Sequence, residues 1–237
     1  MPIFPVRSCF LERFSRLPYC AALCALIALG LTPRAAQGQS SITGETVECT
    51  DGTADRYPCD NADLLSVLSI DALGGDAGTD LNDVWGWTDP KTGTEYALVG
   101  RTDGTAFVDV STPTEPIYVG ELPTHTTASP WRDVKVYDDH AFIVSEASGH
   151  GMQVFDLTRL RDVSPDERPR TFDETAHYEG SESVRLETAH NVAVNVETGF
   201  AYIVGGDASG SAETCGGGLH MVNVQSPAAP TFAGCFP

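Results

Sequence analysis

One pattern is written three times along this chain, in units of about residues 81–124, 131–180 and 189–237. Each unit opens with an acid or amide ahead of an apolar stretch: Asp83 in DVWGW, Asp133 in DVKVY and Asn191 in NVAVN. A turn follows (DPKTG, DDH, ETG), then a β-rich run (YALVG, HAFIVS, FAYIVG). After a Gly-containing loop comes a further run that ends in Asp or Asn (TAFVDV, MQVFDL, LHMVNV). Proline then precedes a short last piece, clear in PIYVGELP and PTFAGCFP and blurred in the second unit. Four short strands at this period predict the blades of a β-propeller. A lone four-stranded sheet cannot bury both of its faces, so such units must stack on one another.

The predicted fold class is therefore all-β, a propeller of four-stranded antiparallel blades. Closed propellers have typically about four to eight blades, so about three blades plus a leading strand make an incomplete one, and the chain reads as the N-terminal part of a longer protein or as a truncated sequence, with ring closure by several short chains the lesser alternative. The leading strand is expected in 64–70 (LLSVLSI), where Leu and Val alternate with Ser as in a half-buried strand. Ala106, Val108 and Val110 should face one side of the first unit's third strand, and Thr105, Phe107 and Asp109 the other. The one helical turn predicted in the mature chain is Thr158–Val163.

Residues 1–38 read as a signal peptide. Arg7, Arg13 and Arg16 form a basic start, and Ala21 to Leu31 is an apolar core too short for a stable span, which needs about 20 apolar residues. Ala36-Gln37-Gly38 supplies small residues for cleavage before Gln39. Residues 39–63 then form an acidic, cysteine-containing leader, and 64–237 the partial propeller. Of seven cysteines, Cys49, Cys59, Cys215 and Cys235 remain after cleavage, and an exported chain is where disulfides persist. No C-x-x-C pair accompanies them, which argues against zinc. Cys49 is expected to pair with Cys59. In a four-stranded meander the loop between strands two and three lies at the same edge as the end of strand four, so Cys215 should reach Cys235.

The formal net charge is −19, and loss of residues 1–38 removes four Arg and one Glu, leaving a still more acidic chain. Such a surface repels phosphate and excludes nucleic acid as a partner. Two lysines stand against twelve arginines. Acid-rich, lysine-poor surfaces suit a salt-rich medium, where screening removes self-repulsion, although a GC-rich genome has the same effect on Arg and Lys. No transmembrane span is expected in the mature chain, which should lie outside the cell or on its surface and meet an extracellular protein or polysaccharide.

Six histidines, His125, His140, His150, His177, His190 and His220, show no H-E-x-x-H spacing, and the chain has no G-x-S-x-G elbow and no P-loop. No catalytic residue can be named. On a propeller the first strand of each blade lines the central channel, so Asp83, Asp133, His190 and Asn191 could gather there and hold a cation or polar ligand. The competing reading is that Asp83, Asp133 and Asn191 bond neighbouring loop backbone and secure blade packing. The acid-rich stretches around Asp51–Asp63 and Asp76–Asp83 lack the D-x-D-x-D-G pattern of a calcium loop. No cofactor is expected, and calcium is the one ion those stretches would attract. Trp85, Trp87 and Trp131, on or beside first strands, read as core packing.

The third-strand runs AFVDV, QVFDL and HMVNV resemble the LVIVD repeat of bacterial and archaeal cell-surface proteins. Asp109, Asp156 and Asn223 then occupy its acidic position, with Asn223 departing from Asp. The longer strings CTDGTADRYPCDNADLLSVLS, DVWGWTDPKTGTEYALVGRTDGTAFVDV and WRDVKVYDDHAFIVSEASGHGMQVFDLTRLRDV are similar to those of the choice-of-anchor B family. The resemblance implies an extracytoplasmic β-propeller without an assigned catalytic activity, acting as a secreted or surface binding or structural module. The alternative is a propeller hydrolase or lactonase with a metal in its channel, which would need acids and histidines from further blades as well.

Overall fold

The structure, a computed structural model, describes residues 39–206 and 211–236. The expected signal peptide lies outside them. The described chain is all-β. Its helical segments are short 3-10 turns at Asp71–Leu73, Leu157–Asp162, Pro165–Glu167 and Ala212–Gly217. Among the described residues no helix is long and apolar enough to cross a membrane.

A two-stranded hairpin, β1 (Thr53–Ala54) with β2 (Tyr57–Pro58), sits in the leader and is closed by the Cys49–Cys59 disulfide. The first repeat unit folds as the meander β3 (Leu81–Thr88), β4 (Glu95–Arg101), β5 (Gly104–Asp109) and β6 (Ile117–Pro123). The second contributes β7 (Arg132–Tyr137), β8 (His140–Ser145) and β9 (Met152–Asp156). The chain then makes the 3-10 turn Leu157–Asp162, which begins one residue before the predicted helical turn and stops one residue short of its end, with Val163 already extended. It next lends β10 (Arg170–Thr171) in parallel to β6 at the edge of the first sheet, and returns as β11 (Ala176–Tyr178) beside β9. That excursion is why the second unit's last piece is blurred in the sequence: its fourth strand is three residues long and follows a detour. The third unit is again a meander, β12 (Asn191–Asn195), β13 (Phe200–Val204), β14 (Leu219–Asn223) and β15 (Thr231–Phe236).

The three sheets stack with a separate core in each seam. Trp87, Leu98, Phe107 and Leu122 of the first sheet meet Val134, Ile143 and Phe155 of the second. Phe142, Val144 and Val154 from the second sheet's other side meet Val192, Ile203 and Val222 of the third. β8 therefore feeds both cores by simple alternation, Ala141 and Ile143 into one and Phe142 and Val144 into the other. In β5 every residue from Gly104 to Val108 is buried, as expected of a strand with apolar neighbours on both faces.

Residues 64–70 depart from the expected strand. They make only isolated bridges, Leu64 to Val47 and Val67 to Ile42. Their partners lie in the polar leader, which has no alternating face with which to hold a register. The Cys215–Cys235 pair forms as expected, with Cα atoms 5.3 Å apart, between the 3-10 segment before β14 and the end of β15.

Candidate functional site

The first strands of the three units, β3, β7 and β12, lie side by side and are tied by one repeated bond. Val134 N–H donates to Asp83 Oδ2 at 3.0 Å, and Val192 N–H donates to Asp133 Oδ2 at 2.7 Å. In each case the acid that opens one unit accepts the N–H just after the acid or amide that opens the next. Asn191, in that position of the third unit, donates its side-chain amide back to Asp133 Oδ2 at 3.3 Å.

Asp83 reaches its partner by a local distortion. The β3–β4 register slips between Leu81 and Val84, and Asp83 adopts the left-handed conformation at φ 56°. Such a bulge re-aims a side chain next to a site, and Asp tolerates this region better than most residues. Gly100 makes the bulge fit: a Cβ there would stand 2.1 Å from the Asn82 carbonyl oxygen. Asp133 needs no such device, since β7 and β8 pair in unbroken register.

Lys135 sits between the two carboxylates. Its Nζ donates to Asp133 Oδ1, lies 3.6 Å from Asp83 Oδ2 and stands 4.5 Å over the Trp85 ring. Burial raises the pKa of Asp83, and the adjoining Asp133 carboxyl adds to that rise. Burial also works against ionisation of Asp133, but hydrogen bonds involving Asp83, Lys135 and the Val192 N–H outweigh it and hold this carboxyl below its ordinary range. On acidification Asp83 therefore takes up a proton before Asp133.

A cavity of about 220 Å³ opens here, lined by Asn82, Asp83, Trp131, Arg132, Asp133, His190 and Asn191. The four residues singled out in the sequence, Asp83, Asp133, His190 and Asn191, thus line one space. His190 Nδ1 contacts Glu146 Oε1, and its ring lies 6.0 Å from that of Trp131. Only Trp87 of the three tryptophans is core. Trp85 and Trp131 are 41% and 49% exposed, which corrects the packing expected of them: Trp131 lines the cavity and Trp85 carries Lys135 over its ring.

Arg132 is the functional candidate that sequence reasoning missed. It is 1% exposed, and among the described residues its guanidinium holds neutral acceptors alone: the Arg101 carbonyl at 3.0 Å, Thr124 Oγ1 at 2.9 Å and His150 Nε2 at 3.0 Å. Burial lowers its pKa to about 10. Burial and the neighbouring guanidinium together lower His150 to about 4. The neutral imidazole therefore accepts at Nε2 and donates from Nδ1 to the Gly151 carbonyl. One cue lay in the sequence: Arg132 immediately precedes the opening acid of its unit.

The repeat-motif positions each hold a local turn. Asp109 Oδ1 accepts from Ser111 N–H at 3.0 Å, Asp156 Oδ1 from Thr158 N–H at 2.9 Å, and Asn223 Oδ1 from Gln225 N–H at 2.9 Å. Each caps the turn that leaves the third strand of its unit, a task for one side-chain oxygen. That is why Asn serves in the third unit where Asp serves in the others.

No protein-family model matches this chain, and a search of curated proteins finds no match either.

Proposed function

We propose that the three stacked sheets are consecutive blades of a β-propeller of the LVIVD-repeat, choice-of-anchor B kind. In this reading the chain is exported by residues 1–38 and acts outside the cell, or on its surface, as a binding or structural module. The observation that carries the reading is the bond repeated from Asp83 to Val134 and from Asp133 to Val192, which sets the first strand of each unit beside that of the next. An open apolar face on the first sheet adds support. A hollow of about 520 Å³ there is lined by Leu68, Leu73, Leu81, Val84, Val99 and Val108 among others, a surface suited to another blade. Both disulfides fit an oxidising compartment.

The cavity at the first strands is the ligand site in this reading. Its carboxylates already hold the Lys135 ammonium, so a polar, hydroxyl-rich ligand such as a polysaccharide suits it better than a metal ion. The exposed Trp131, which lines the cavity, offers an apolar ring face for sugars. The test has two arms. Expressed with its own N-terminus, the exported product should begin at Gln39. In affinity electrophoresis against a polysaccharide panel, Trp131→Ala should weaken any retardation seen with the unmodified chain. Intact residues 1–38 on a membrane-embedded product would overturn the export claim. Chelator-sensitive hydrolysis of lactones or esters, without retardation by any polysaccharide, would favour the metal-hydrolase alternative.

A further inference from the structure

At the other edge of the first two sheets, away from β3 and β7, three side chains from separate segments converge. His125 follows β6, Glu174 lies on the link between β10 and β11, and His177 is within β11. The ligand atoms they offer all lie within 4.8 Å of one another. From this convergence we propose that His125, Glu174 and His177 form a site for one divalent transition-metal ion of the zinc(II) type, which clips the outer edges of the two sheets together.

The surroundings are those of a prepared donor set. His177 Nε2 is 2.7 Å from the His150 carbonyl oxygen. A carbonyl only accepts, so Nε2 carries the proton and the Nδ1 lone pair is left for a metal. Metal-binding histidines are generally fixed by such an outer bond. That carbonyl belongs to a residue itself held by buried Arg132. Glu174 is oriented in the same manner. Its Oε2 accepts at 2.9 Å from Gln153 Nε2, which also donates to the Pro123 carbonyl, and Gln153 is 2% exposed. Glu174 Oε1 then faces His125 Nδ1 at 3.0 Å, and among the described residues no Lys or Arg neutralises this carboxylate.

Two imidazoles and one carboxylate select zinc(II), cobalt(II) or copper(II) over calcium or magnesium, which want oxygen donors throughout. One adjustment is required. The two rings are stacked, with centroids 3.5 Å apart and planes at 11°, and parallel rings cannot both aim a lone pair at an ion about 2.0–2.1 Å away. His125, on the loop after β6 with its side chain 32% exposed, is the one placed to turn.

The experiment is calorimetric titration of the chelator-stripped chain with zinc chloride, in excess calcium so that the acidic surface is already occupied. One zinc ion should bind per chain and raise the unfolding temperature, because it binds the folded state. Copper(II) at the same site should show nitrogen superhyperfine structure from two imidazoles. His125→Ala, on the exposed side and expected to leave circular dichroism unchanged, should weaken zinc at least about tenfold and leave one nitrogen in the copper spectrum. His140→Ala should change neither. Zinc binding that is lost in calcium, or that survives His125→Ala at full affinity, would overturn the site. If His177→Ala fails to fold, His125→Ala and Glu174→Gln still decide the matter.

Discussion

Between the first and second sheets, Arg161 clasps the fully buried Asp89 with two bonds of 2.8 and 2.6 Å, Trp87 Nε1 donates to Asp139 Oδ1, and Arg132 crosses to the Arg101 carbonyl and Thr124. Between the second and third, no arginine side chain bonds across among the described residues. His220 instead pairs with the Tyr178 hydroxyl at 2.8 Å, and His190 with Glu146. The two seams share one backbone repeat and one opening-acid bond, so the difference lies in what was added. A guanidinium, even Arg132 lowered by burial to about 10, keeps its charge through the neutral and acid range, whereas an imidazole changes charge within it. The repeat sets which strands meet, and the side chains around it set under what conditions they stay together.

The largest expected effect tests whether the first seam is also the stronger apolar one. Phe107 is fully buried, stacks on Phe155 at 4.7 Å and meets Phe172 edge-on at 5.9 Å. Phe107→Ala should cost about 4 kcal/mol in urea unfolding, through lost burial and the cavity left behind. Val222→Ala, fully buried in the second core, removes far less volume and should cost roughly 2 kcal/mol. Equal costs would mean that the aromatic cluster adds nothing special to the first seam.

The comparison also shows what a sequence can carry. The order of strands was legible because alternation and turn residues are local, and three copies reinforced one another. The convergence of Asp83, Asp133, His190 and Asn191 was legible for the same reason, since their place in the repeat located them. What escaped was non-local or irregular. The bulge at Asp83 shows only as an unremarkable Asn-Asp pair. Arg132 reads like any arginine until Thr124, Arg101 and His150 close around it. His125 and Glu174 are 49 positions apart and share no motif. The run at 64–70 has a strand's alternation, but its partners in the leader do not.

Acid should separate the Asp89–Arg161 clasp from the two histidine contacts, His150 on Arg132 in the first seam and His220 on Tyr178 in the second. Burial lowers His220 to about 4, and burial with Arg132 lowers His150 to about 4. Both are neutral in the folded state, so below the ordinary histidine value of 6.5 the unfolded chain binds more protons and stability falls with pH. Each histidine should contribute a loss of about 3 kcal/mol between pH 6.5 and 4, at roughly 1.4 kcal/mol per pH unit. Asp89 behaves in the opposite range. The Arg161 bond holds it well below the usual carboxylate value, so its stabilisation persists until far lower pH. Urea unfolding across pH 7 to 4 should show a stability slope lower by about 1.4 kcal/mol per pH unit below about pH 6 in His220→Gln. An unchanged slope would show that the second seam does not sense acid through this residue.

The smallest expected effect asks whether the three units are interchangeable at the motif position, in contrast to their seams. Asp109, Asp156 and Asn223 each use one Oδ1 to accept a backbone N–H two residues on, and the strand pairing around them is the same: Tyr96 faces Asp109, His140 faces Asp156, and Phe200 faces Asn223. If the oxygen alone matters, Asp109→Asn should change stability by less than about 0.5 kcal/mol, as a surface substitution would. Asp109→Ala, which leaves the Ser111 N–H without its acceptor, should cost about 1 kcal/mol. Asp156 is the sharper case, because the same oxygen also accepts from the Thr158 hydroxyl at 2.7 Å and caps the 3-10 turn that carries Arg161 to Asp89. Asp156→Ala should therefore cost more than Asp109→Ala, and the excess should vanish when Arg161 is already replaced by Ala. A double-mutant cycle reads that coupling directly. Additive costs would place the turn's value in its own geometry, and coupled costs would make the motif acid a support for the first seam.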